Sequence, residues 1–254
     1  METFSLLQQS LDQNIDRTSL EDATDAAASV ARADCARLHR EMHGILVSGL
    51  PREEALAFQA ALKAMDFPTD LVADGRLPVL HESFQIQRIS RREEILDLAD
   101  SMGRSRIHPL ADLVFLAAGY IKRIEFKTTW NQHLDFGGKR HEMSRGLPGY
   151  VTEREFKEET ELEFRIDFFF CSSPHRVHAA LGKENVIFHQ DTPLRLKNDS
   201  AIRTLLASLS PLLPAERMNS CLRDPSLAKV YPNHLSYEKE IRWHFHRIAT
   251  ASGA

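Results

Sequence analysis

The chain has 254 residues, of which 43% are apolar and 27% charged, with a formal net charge of −4. That composition belongs to one large or two modest folded domains and excludes a disordered chain, which has fewer large apolar residues and a stronger net charge. The mildly acidic balance argues against a surface given over to nucleic acid. Cys35, Cys171 and Cys221 form no C-x-x-C pair, so neither a disulfide framework nor a cysteine-rich zinc site is expected.

Residues 1–18 are polar and aperiodic and predict a loose start. They lack the basic start and apolar core of a signal peptide. The longest central apolar stretch, Leu113 to Ile121, is about half of the ~20 residues that a membrane span needs. A soluble, cytoplasmic protein without membrane contact is the expectation. Ser19 to Met42 reads as a helix, with Thr18 or Ser19 as N-cap, acids in the first turn and alanines at its centre. Cys35, His39 and His43 then share a helix face. They would run over about 12 Å of helix, too far for one ion to touch all three.

Ile45-Leu46-Val47 reads as a buried strand between Gly44 and Gly49. Pro51 then starts a helix with an apolar face of Ala55, Phe58, Leu62 and Met65. Phe67-Pro68 ends it, and Thr69 to Ala73 is the next strand. This is a βαβ unit of about 30 residues. The stretch from Gly44 to Ala55, closing on Phe67 to Val72, resembles small bacterial signal-transducing βαβ modules. The resemblance covers residues 43–78 and implies a ferredoxin-like half-fold with a regulatory or docking role. It brings no catalytic residues.

Leu77-Pro78 looks like a boundary. Beyond it Phe84 to Ile89, Ile95 to Leu98 and Leu113 to Ile124 read as strands, with a turn at Gly103. Residues 127–150 hold four of the 11 glycines and read as a long loop. Glu161 to Phe170 opens with the clearest alternation in the chain. Val186 to Phe188 is a further strand. Ser200 to Leu209 reads as a helix, and Ser236 as the cap of a last helix striped by Tyr237, Ile241, Phe245 and Ile248. The expected fold class is α+β: a loose residue 1–18 segment, a helix plus βαβ module over 19–78, and a β-rich domain over 79–254 closed by C-terminal helices. By analogy, strands plugged by a terminal helix suit a small barrel of pleckstrin-homology type.

No G-x-S-x-G elbow and no glycine-rich phosphate loop occurs. In the 127–150 segment, Trp130, His133, Lys139, Arg140, His141 and Arg145 combine an aromatic with basic residues, a pattern that can hold phosphate or a nucleotide base, and Trp130 to Arg145 is the candidate contact surface for a protein partner. Arg154 to Leu162 resembles the second half of the Nudix box, and Gly137 to Glu142 its start. The resemblance implies a helix on which Glu155, Glu158 and Glu159 hold Mg²⁺ for diphosphate hydrolysis. The sequence departs from the box at Glu161, where the family has glycine, and in a longer gap between Glu142 and Arg154. The leading expectation is therefore a non-enzymatic binding, adaptor or sensor protein without a cofactor. A metal-dependent Nudix-type hydrolase is the alternative, and it requires Arg154 to Glu159 to be helical.

Overall fold

Phe4-Ser5-Leu6-Leu7-Gln8 forms the first strand, β1, inside the segment expected to be loose. The computed structural model describes residues 2–135, 149–171, 176–181, 186–189, 192–195, 199–224 and 229–252. β1 lies between β2 (Ile45–Leu50) and β3 (Thr69–Ala73) and pairs antiparallel with both. Ser5 to Gln8 are all buried, because a central strand has both faces covered. Leu6 packs with Leu46, Phe58 and Leu62, while its neighbour Leu7 packs with Ile45, Val72 and Trp243. Two adjacent leucines serving two cores leave no polar-apolar alternation to read.

Helix α3 (Arg52–Ala64) joins β2 to β3, as the βαβ reading expected. The single helix expected over 19–42 is broken. It becomes α1 (Arg17–Ala23) and α2 (Cys35–Glu41), with 3-10 turns at Thr24–Ala26 and Arg32–Asp34. Alanine propensity favours continuity, but the break lets Ala27 and Val30 join Ala23 and Cys35 in the core under α3, and packing wins. The cap of α1 is Asp16, whose carboxylate accepts the Ser19 N–H at 3.0 Å. His43 falls beyond α2, so Cys35, His39 and His43 share no helix face.

The remaining strands are β4 (Ser83–Gln85), β5 (Arg88–Arg92), β6 (Ile95–Ala99), β7 (Ser105–Pro109), β8 (Leu113–Asp135), β9 (Gly149–Phe170), β10 (Arg176–Leu181), β11 (Val186–His189), β12 (Thr192–Arg195) and β13 (Val230–Tyr231). They form two sheets of order β13-β8-β9-β10-β4 and β12-β11-β5-β6-β7. Each has two edge strands, so neither is the closed barrel suggested by analogy. Gly103 makes the β6–β7 turn with φ +77°. The segment expected to be a loop over 127–150 is instead strand as far as Asp135 and again from Gly149.

β9 distributes its alternating residues to two cores. Phe164, Ile166, Phe168 and Phe170 pack on Ile89, Leu96 and Leu98 of the other sheet and on α4 (Asp199–Leu209). Phe169 packs with Phe115 and Ile121 of β8 against Tyr237 and Ile241 of α6 (His234–Ser252), which follows the short helix α5 (Ser220–Arg223). Trp243 of α6 sits in the core of the N-terminal sheet. Helix α6 is thus enclosed on two sides, and no residue from Ser236 to Ile248 is fully exposed. Its N-cap is Asn233, which accepts from the Ser236 N–H at 2.8 Å, and Ser236 itself lies inside the helix. Gly44 permits the approach of Trp243: a Cβ there would stand 2.5 Å from the Trp243 side chain, at φ +83°. Met1–Ile121 with Glu163–Ala254 form one compact unit, and Lys122–Leu162 another.

Candidate anion-binding cleft

Of the residues singled out in the glycine-containing segment, Trp130 and His133 belong to β8, with side chains outside the described part. Lys139, Arg140, His141 and Arg145 lie outside the described residues. The acidic run is placed differently from its helical expectation: Arg154 to Glu159 is extended within β9. Successive side chains of a strand point to opposite faces, so Glu158 faces away from its neighbour Glu159, and the side chain of Glu155 lies outside the described part. Glu159 is bonded to Lys127 at 2.6 Å. The helical triad for Mg²⁺ is not formed. No group of three or more His, Cys, Asp or Glu among the described residues is placed to hold a metal ion.

Sequence reasoning missed two charge clusters on α6. The first is closed. The Glu240 carboxylate is fully buried; one oxygen accepts from Ser220 N–H (3.0 Å) and Oγ (2.7 Å), the other from Lys229 Nζ (2.8 Å) and Tyr231 OH (2.8 Å). Burial alone would raise its pKa, but the His244 imidazole, Lys229 and the Ser220 N–H together hold it well below the ordinary value. Asn219 extends this cluster to the edge of β8, pairing with Ala118 O (2.7 Å) and N (3.0 Å) as a strand residue would. Gly119 completes it, since a Cβ there would collide with the Tyr231 ring. Cys221 beside it is buried, which pushes its thiol up to about 11, so it is chemically inert at neutral pH. Ser220, Lys229 and Tyr231 satisfy the Glu240 carboxylate, and His244 Nε2 stands 3.7 Å from it. Their chemistry is structural.

The second cluster is open. A cleft of about 580 Å³ runs along β3, which is an edge strand of its sheet. Its floor includes Phe4, Leu71 and Val72, and its wall includes His246, Arg247 and Thr250 from the last turns of α6. Arg52 enters from the first residue of α3 and Arg76 from the 3-10 turn Asp74–Arg76. That turn is fixed by Asp74, whose carboxylate accepts from Ser5 Oγ and from Gly49 N–H at 3.1 Å.

Arg247 is held rigidly. It donates to Gln8 O at 2.8 Å, pairs with Asp70 at 2.7 Å and lies 5.3 Å from the Trp243 ring centre. Its Nε is buried without a partner. Arg52 and Arg76 are exposed and form no ion pair among the described residues, although Arg52 lies 6.0 Å over the Phe4 ring. Burial and then the Arg247 charge lower the His246 pKa, so this imidazole is neutral at neutral pH.

The lining therefore holds three guanidiniums against the carboxylates of Glu2 and Asp70, beside an apolar floor. The planar guanidinium fork matches a pair of oxygens on a carboxylate or a phosphate. A cation in the first turn of α3 opposes the helix dipole, so Arg52 is not there to stabilise its helix. That position was the one signal in the sequence. Arg52, Arg76 and Arg247 are too far apart along the chain to form a motif.

Comparison of the chain with protein-family models, curated proteins and solved structures finds no match.

Proposed function

We propose that this chain is a binding protein and that the cleft along β3 is its site. The ligand is one that carries a phosphate or carboxylate next to an apolar group. The observation that carries this reading is the pairing pattern: Arg52 and Arg76 share a cleft with Phe4 and have no acidic partner among the described residues. Arg247, already neutralised by Asp70, acts as the fixed wall. A sensor or adaptor role follows from such binding. The hydrolase alternative lacks a comparable support, because its three glutamates are extended in β9.

Calorimetric titration of the full chain with pyrophosphate tests the reading. Heat of binding is expected for the wild type. The double variant Arg52→Ala/Arg76→Ala should bind at least about ten-fold more weakly, since each charge-assisted hydrogen bond contributes about 1.5–3 kcal/mol. Equal binding by both proteins would place the anion elsewhere and refute the assignment.

A further inference from the structure

The ribbon formed by β8 and β9 within Lys122–Leu162 has two unlike faces. Odd-numbered positions carry Arg123, Glu125 and Lys127 on one strand and Lys157, Glu159 and Glu161 on the other. These are engaged with one another: Lys127 bonds Glu159 at 2.6 Å, Lys157 stands 3.8 Å from Glu159, and Arg123 stands 3.6 Å from Glu125. Even-numbered positions point the other way. There Phe126 is 73% exposed, Ile124 56% and Leu162 49%. Three large apolar side chains on one exposed strand face mark an interaction surface.

The same face carries two charges, Lys122 and Glu158, and neither has an ion-pair partner among the described residues. The strand register separates them. The Tyr120 and Phe164 rings lie 4.9 Å apart and Lys127 meets Glu159, so Leu162 falls level with Lys122 to Ile124, and Glu158 with Phe126 to Thr128. The unpaired cation and anion therefore lie toward opposite ends of the apolar patch. Over 122–128 and 157–162 the ribbon has four cations (Lys122, Arg123, Lys127, Lys157) and four anions (Glu125, Glu158, Glu159, Glu161). A neutral ribbon lacks the positive surplus that nucleic acid or an anionic membrane requires.

We propose that this face seats a second copy of the chain. Two ribbons meet face to face and antiparallel about a two-fold axis. Phe126, Ile124 and Leu162 of both copies pack together, and Lys122 of each copy meets Glu158 of the other. Such an arrangement is self-complementary, as a two-fold interface must be, whereas a parallel stack would set lysine against lysine. The inference is independent of the cleft.

Sedimentation velocity of the full chain over a range of concentrations tests it. A monomer–dimer equilibrium is expected, and Phe126→Glu should weaken the dimer at least about ten-fold, as the loss of a central aromatic anchor does. Lys122→Glu and Glu158→Lys should each weaken it, and the double swap should restore it. The melting temperatures of these exposed-site variants, measured alongside, should match the wild type. A chain that stays monomeric at every concentration overturns the proposal. So does a dimer indifferent to Phe126→Glu, or a double swap that restores nothing.

Discussion

The two halves of α6 carry charge in opposite ways. Glu240, in the first half, is sealed in and has every lone pair engaged by Ser220, Lys229 and Tyr231. Arg247, in the second half, is pinned on one side by Asp70 and Gln8 and lines an open cleft beside two guanidiniums that form no ion pair among the described residues. A buried charge whose partners are complete holds elements together, and removing one partner leaves the others stranded at high cost. An open cluster with surplus charge contributes little to stability and keeps its interactions for a ligand. Unlike roles on one helix should therefore separate cleanly when stability and binding are measured side by side.

Glu240→Ala should show the largest effect on stability, a loss of about 3–5 kcal/mol in urea unfolding, because Lys229, Tyr231 and Ser220 lose their common acceptor. A loss below about 1 kcal/mol would erase the contrast between the two halves. Acid should expose the closed half next. Burial, then the Lys229 charge, pushes His43 down to about 4. The unfolded chain takes up this proton near the ordinary value of 6.5, and the folded chain only near 4. Stability is therefore complete above about 6.5 and falls as pH drops toward 4, by on the order of 3 kcal/mol from this residue. His244 and His108 are lowered as well, by burial first, and add in the same direction. Denaturation midpoints measured from pH 7 to 4.5 should fall, and His43→Phe should flatten that slope. An unchanged slope would mean that His43 is solvated.

Gly119→Ala tests the packing of the same cluster. Its new Cβ would press on the Tyr231 ring and displace the hydroxyl that bonds Glu240, costing about 1–3 kcal/mol by thermal denaturation. The smallest stability effect belongs to the open half. Arg52→Ala and Arg76→Ala should leave stability within about 0.5 kcal/mol of the wild type. A large loss there would assign these arginines to the architecture and remove the contrast.

The sequence made some of this legible for clear reasons. The βαβ unit from Ile45 to Ala73 is bounded by glycine and proline, and its helix buries a single face, so periodicity and punctuation agreed. The alternation that begins at Leu162 marks β9 because Phe164 and Ile166 face one core and Arg165 and Asp167 the other side. β1 was hidden because both of its faces are buried. The strand content of 127–135 was hidden behind glycine-rich flanks, and the break in the first helix behind alanine propensity. The cleft was illegible because its arginines come from a helix start, a 3-10 turn and the last helix. Only the pairing of β1 with β3 and the docking of Trp243 bring them to one place.

The most direct test of the open-cleft account is isotope-edited NMR of the arginine side-chain N–H groups during titration with pyrophosphate. The account predicts that the signals assigned to Arg52, Arg76 and Arg247 shift together and saturate at one ligand concentration, while arginines outside the cleft stay in place. Shifts spread over many arginines without saturation, or confined to arginines away from β3, would contradict it.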